Sequence, residues 1–240
     1  MMKLFGRLYE QHMIKTWMRD CQKGWTLASG FWSPFYFMFR EVPSVPELFR
    51  YSIDSLTQIT NEIRAENPID LLVGIASTGI PLATGVALNL NLPLACTRKV
   101  AGLRTLADLE KNAQVWGEHS LVEGKLQDGM RYILIDDVVT GGTSKELARQ
   151  QVDLEAEKRG IRLSYCGTAV VVDRGFPGYA GENLGIKAKH RLYDGAAEIL
   201  EFGGTKKEVA VIRHYLEDPR AFQDEYTRHG LLEEMSRTAH

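Results

Sequence analysis

Short runs of uninterrupted apolar residues, each followed by a helical pattern, set the tightest limit on how this chain can fold. Leu71-Leu72-Val73-Gly74-Ile75, Leu94-Ala95-Cys96-Thr97, Tyr132-Ile133-Leu134-Ile135 and Tyr165 to Val172 read as strands, with Ile186 to Leu192 as a fifth. Ile80 to Leu90 and Ser144 to Arg159 read as intervening helices, the second closed by Gly160. An earlier helix is predicted from Pro46, with Phe49, Ile53, Leu56, Ile59 and Ile63 at helical spacing and Asn67-Pro68 as its stop. Strands that are apolar on both faces and alternate with helices imply an α/β fold, a mainly parallel central sheet flanked by helices. Residues 1–20 are expected to be helical, and the tail from Lys206 reads as two more helices.

In such sheets ligands bind beyond the carboxyl ends of the strands. Function is therefore expected just after Ile75, Thr97, Ile135 and Val172.

Charge narrows the partners. Lys plus Arg number 29 and Asp plus Glu 31, a balance that argues against general nucleic-acid binding. Cys21, Cys96 and Cys166 are widely separated and lack metal-ligand spacing, so reduced cysteines in a cytoplasmic protein are expected. No secretory leader is expected at the N-terminus. The most apolar stretch, Gly30 to Phe39, is broken by Ser33-Pro34 and is too short to cross a membrane.

The strongest chemical signal is Ile133-Leu134-Ile135-Asp136-Asp137-Val138-Val139-Thr140-Gly141-Gly142-Thr143-Ser144. A strand delivers two carboxylates to its exposed end, and a turn of small residues leads straight into a helix. Backbone N–H groups beside a helix N-terminus suit a phosphate, and Thr140, Thr143 and Ser144 add hydroxyls. Carboxylates next to a phosphate cradle suggest a sugar phosphate. The alternative is an acid pair that caps the helix or holds a structural ion. Gly74 to Gly79 has P-loop glycine spacing but continues Ile80-Pro81 rather than Lys-Ser or Lys-Thr, and no G-x-G-x-x-G follows a strand.

This run resembles the phosphoribosyl pyrophosphate (PRPP) signature of type I phosphoribosyltransferases, with Gly141 a mild departure. Over residues 24–200 the likeness is greatest to orotate phosphoribosyltransferases. Gly24 to Gly30 with Ser33-Pro34 and Tyr36 is similar to their N-terminal segment, including Ser29 at the base. Gly74 to Ala83 is similar to their pyrophosphate loop, Arg98-Lys99 to a basic pair, and Leu121-Val122-Glu123-Gly124 to the end of a catalytic loop. Val172-Asp173-Arg174 is similar to the site whose Arg binds the orotate carboxylate, chemistry that suits a guanidinium fork.

The resemblance implies a type I phosphoribosyltransferase fold with a small hood at 1–43, a core at 44–204 and a C-terminal helical extension at 205–240. It implies attack of a nitrogenous base, orotate first among candidates, on C1 of PRPP, with release of pyrophosphate carried with Mg²⁺. Asp136 and Asp137 would take the ribose hydroxyls. Thr140, Gly141, Gly142, Thr143 and Ser144 would take the 5′-phosphate, and Ser77, Thr78, Gly79 and Arg98 the pyrophosphate. Lys99 and His119 would assist catalysis, while Arg174 and Ser29 would seat the base. No residue is expected to ligate the metal directly. A homodimer is implied, with Arg98-Lys99 and the loop serving the neighbouring site and Phe31 to Phe39 forming part of the contact.

Some usual positions differ. Ala28, Thr78 and Gln114 stand where the family has lysines, Trp116 where it has His or Tyr, and residues around Gly102 to Asn112 lengthen the loop. Lys99, Arg104, Lys111 and His119 are the cations available to compensate. A type I enzyme for another base and a PRPP or nucleotide sensor therefore stay open as alternatives.

Overall fold

The structure is a computed structural model that describes residues 2–27, 30–99, 102, 105, 107–109, 120–175 and 184–238. In chain order its principal elements are α1 (Leu4–Glu10), β1 (Ile14–Thr16), β2 (Trp25–Thr26), β3 (Trp32–Ser33), β4 (Phe35–Phe37), α2 (Pro46–Glu66), β5 (Leu71–Gly74), α3 (Gly79–Leu90), β6 (Leu94–Thr97) and β7 (Val122–Glu123). They continue with β8 (Arg131–Val139), α4 (Thr143–Lys158), β9 (Ser164–Asp173), β10 (Ile186–Arg191), α5 (Lys206–Glu217) and α6 (Glu225–Thr238). These residues form two compact units. One runs from Phe49 to Asp173 and includes Leu184 to Lys189. The other takes the chain up to Leu48, Arg174 and Gly175, and everything described from His190 onward.

The first unit is built on a six-stranded sheet in the order β10-β9-β8-β5-β6-β7. The β6–β5, β5–β8 and β8–β9 pairs are parallel, and β7 runs antiparallel to β6. Leu71 and Val73 alternate along β5, with Ile75 just beyond its end, as Tyr132 and Leu134 do along β8. Together they form one buried face against Ala148 and Val152 of α4. Helix α3 packs on β5 and β8. The mainly parallel sheet flanked by helices is the expected architecture.

Two details differ from the sequence reading. Strand β7 is only two residues long, too short to leave a periodic pattern. Strand β8 does not stop at Ile135 but continues to Val139, because β9 is long enough to pair with it as far as Val139 and Asp173.

In the second unit residues 1–20 are not one helix. Helix α1 ends at Glu10, His12 turns with φ 55°, and β1 pairs antiparallel with β4. The expected contact surface Phe31 to Phe39 is instead largely internal: Trp32, Ser33, Pro34, Phe35 and Phe39 are buried. The C-terminal elements cover it, Phe222 stacking on Trp32 at 6.2 Å and Tyr215 meeting Phe35 edge-on at 5.5 Å. The segments 1–43 and 205–240 therefore share one core. Thr205 and Glu208 cap α5 reciprocally, and the buried Glu208 carboxylate also accepts from Tyr9 and Thr16.

Candidate functional site

The extension of β8 decides how the acid pair is presented. Successive residues of a strand point to opposite faces, so Asp136 and Asp137 diverge. Asp136 is 6% exposed. Its Oδ1 accepts the Asp137 N–H at 3.0 Å, and its Oδ2 lies 2.7 Å from the Lys145 ammonium. Asp137 is half-buried and accepts the Val138 N–H at 2.7 Å. Burial, and then the adjacent Asp136 carboxylate, push the Asp137 carboxyl up to about 8 against the pull of Lys145.

Beyond β8 the chain turns through Thr140, Gly141 and Gly142 into α4. Gly142 caps the helix with φ 79°, a left-handed conformation suited to glycine, and its carbonyl accepts from Lys145 and Glu146 at 2.9 and 3.0 Å. The first N–H groups of a helix have no partner within it, so this turn offers donors to an anion. Gly141, Thr143 and Ser144 are exposed, and a Cβ at Gly141 would meet nothing within 4 Å. A larger residue would fit there, which makes the departure at 141 sterically neutral.

The 76–79 turn lies on the neighbouring strand. Ile75 donates to Ile135 at 3.0 Å, Ala76 donates to the Thr97 hydroxyl at 3.0 Å, and the Ala76–Ser77 peptide is cis. Gly79 is forced by proximity: a Cβ there would sit 2.4 Å from Ile135 O and 3.1 Å from Asp136 Oδ1. The structure thus brings the turn containing Ser77, Thr78 and Gly79 beside the acid pair. Ser77 is exposed and Thr78 half-buried. Arg98 and Lys99 follow β6 and are both exposed, with Arg98 Nε 3.6 Å from Glu123. Among the described residues no group of three or more His, Cys, Asp or Glu stands ready to hold a metal ion.

In the other unit, Arg174 follows the last residue of β9. It is 6% exposed, and its guanidinium lies over the Phe35 ring at 4.7 Å and near Phe37 at 5.8 Å. Its Nε and Nη2 are buried and have no hydrogen-bond acceptor among the described residues. Burial lowers its pKa to about 10, so it remains a cation at neutral pH, with unmet donors on an aromatic platform. Such a group suits a planar anion.

Ser29 and His119 lie outside the described residues, as do Ala28, Arg104, Lys111, Gln114 and Trp116. Two participants were not anticipated from the sequence. The Phe35–Phe37 platform came from a stretch read as a subunit contact. Lys145, on which the sequence reading places no role, shares the buried face of α4 with Ala148, Val152 and Ala156.

The phosphoribosyl transferase domain family matches residues 46–151. The orotate phosphoribosyltransferase of Saccharolobus solfataricus is 32% identical over 176 residues, covering 73% of this chain and 77% of that protein. That of Dinoroseobacter shibae is 29% identical over 215 residues, 87% of each chain. Among solved structures, the Aeropyrum pernix orotate phosphoribosyltransferase superposes with a TM-score of 0.60 at 24% identity, covering 85% of this chain and 100% of its own. Leishmania donovani UMP synthase superposes with a TM-score of 0.68 at 21% identity, where this chain spans 89% of its own length and 41% of the other. Both have the type I phosphoribosyltransferase fold described above.

Proposed function

Since the chain belongs to the orotate phosphoribosyltransferase family, we propose that it transfers the 5-phosphoribosyl group of PRPP to orotate, giving orotidine 5′-monophosphate and pyrophosphate. A ring nitrogen of orotate, giving up its proton, forms the new bond to C1 as the C1–oxygen bond to pyrophosphate breaks, and the leaving pyrophosphate keeps that electron pair while the proton passes to it or to water. Mg²⁺ enters with PRPP as part of the substrate. The acid pair is no cation cage, since the Asp136 carboxylate is already matched by Lys145.

In this reading Thr140 to Ser144 hold the 5′-phosphate with backbone N–H and hydroxyl donors. Asp137 takes one ribose hydroxyl, and Asp136, whose oxygens keep spare lone pairs, takes another. The turn Ser77, Thr78 and Gly79 receives the pyrophosphate with Arg98. Fixed donors and carboxylates arranged around a developing oxocarbenium charge lower the barrier mainly by positioning and electrostatics. Arg174 seats the orotate carboxylate, with Ser29 beside the base. Lys99 and His119 serve the leaving group, and Arg98-Lys99 serve the neighbouring site of a homodimer. A cytoplasmic location is proposed with this reading; no helix among the described residues is long and apolar enough to cross a membrane.

The observation that carries the choice of base is the Arg174 guanidinium, buried with two donors unmet on a phenylalanine platform. Loss of orotate absorbance with PRPP and Mg²⁺ tests it, using Asp137→Asn as control. Turnover by the wild type alone supports the reading. PRPP binding by calorimetry without orotate turnover overturns the orotate assignment and leaves another base or a sensor.

A further inference from the structure

Lys145 is the third residue of α4 and is only 3% exposed. A buried ammonium is costly unless its donors are matched. Here all three find acceptors: Asp136 Oδ2 at 2.7 Å, Val138 O at 2.5 Å and Ser144 Oγ at 3.2 Å. Its position adds a second cost, because the first turn of a helix disfavours a cation. A Met would fill similar space without either penalty.

The three acceptors are not a random set. Asp136 and Val138 belong to the end of β8, and Ser144 to the first turn of α4. The ammonium therefore ties together the two sides of the Thr140–Thr143 turn. It also holds one oxygen of Asp136, while the Asp137 N–H holds the other. Sequestered as it is, the lysine does not reach a ligand in the turn.

Resting on the transferase reading of this site, we propose that Lys145 is a positioning residue for PRPP, acting through Asp136. It fixes the acid relative to the phosphate-binding turn and keeps a balancing positive charge behind it. The phosphoribosyl half of the site is thereby preorganised from inside the core.

A double-mutant cycle of Lys145→Met and Asp136→Asn tests this, read by PRPP calorimetry and by kcat and KM for each substrate. Lys145→Met is expected to raise the PRPP Kd and KM about tenfold or more, as for loss of a charge-assisted contact, with the KM for the base nearly unchanged. Adding Lys145→Met to Asp136→Asn is expected to cost little more, since both break one connection. Wild-type PRPP affinity in Lys145→Met, or penalties that multiply in the double variant, would overturn the proposal while leaving the transferase reading intact. A wild type that binds no PRPP would bring down both. If Lys145→Met does not fold, Lys145→Gln carries the same expectation, because it keeps hydrogen-bond donors but not the charge. The double variant, with the buried pair removed as a unit, gives a further folded reference.

Discussion

Arg159 donates from Nε to Glu155 Oε1 at 2.7 Å across one turn of α4, and neither side chain stops there. Glu155 Oε2 accepts the Leu121 N–H at 2.7 Å, and Ser120 Oγ lies 3.0 Å from Oε1. Arg159 also reaches the carbonyls of Val122 at 3.0 Å and Gly124 at 3.1 Å. One turn before Glu155, Gln151 donates to Arg98 O at 3.0 Å, and Arg98 N–H meets Leu121 O at 3.0 Å. Gln151, Glu155 and Arg159, spaced one turn apart along α4 and its C-terminal cap, thus hold both chain segments flanking residues 99–119.

Glu155→Gln should loosen that anchorage. Burial pushes the Glu155 carboxyl up, but the Leu121 N–H, Arg159 and Ser120 together bring it below its ordinary value of 4.5. A depressed folded-state pKa adds stability that is present above the unfolded value and lost as pH falls through the folded one. We expect thermal unfolding of the wild type to lose this increment below about pH 4.5. Glu155→Gln should lack it at neutral pH, at a cost on the order of 2 kcal/mol, the scale of hydrogen bonds to a charged group. Equal unfolding temperatures of the two proteins at pH 7 would contradict this.

Gly79→Ala addresses the close approach of the two strand ends. The added methyl would overlap a backbone oxygen, Ile135 O at 2.4 Å, and so demands a backbone shift beside Asp136. We expect roughly a hundredfold loss of kcat/KM, in the range that small misplacements of reacting groups produce. Gly141→Ala, which meets open space, should stay near wild type. Similar kinetics for the two variants would show that this contact does not matter.

The acid pair and its turn were legible because an apolar strand, two carboxylates and a glycine-containing loop are contiguous in sequence. The parallel strands were legible because each is uniformly apolar. What escaped depends on distant segments. Lys145 carries no signal in the sequence, because its burial depends on the sheet covering its face of α4. Phe35 and Phe37 look like an exposed apolar patch until Tyr215 and Phe222 cover the stretch from the far end of the chain. The strands β1 to β4 have only two or three residues each, so pairing defines them where periodicity cannot.

Arg174→Met should separate function from stability. Burial lowers the pKa of Arg174 from 12.5 to about 10, which corresponds to a folding cost on the order of 3 kcal/mol, partly offset by the Phe35 ring. Methionine avoids that cost and can pack on the same rings. The variant is expected to unfold at a higher temperature and to raise the KM for orotate about a hundredfold, with the KM for PRPP little changed. A lower unfolding temperature would mean that the guanidinium is satisfied in the free protein. An unchanged orotate KM would remove Arg174 from the base site.

Burial and the neighbouring Asp136 raise the Asp137 carboxyl to about 8, so the free protein is expected to hold this proton at neutral pH. A carboxyl raised in the folded state adds stability below its unfolded pKa, and that stability fades as pH rises through the folded value. Without ligand, the protein should therefore become less stable between pH 6 and 9, and Asp137→Asn should flatten that slope. If the ribose hydroxyls need the ionised acid, kcat/KM for PRPP should climb with pH and level off above about 8, because this parameter reports the free enzyme. Lys145→Met, which removes the cation that opposes protonation of Asp137, should move this limb to higher pH. A wild-type profile flat from pH 6 to 9 would show that Asp137 is already ionised before PRPP arrives.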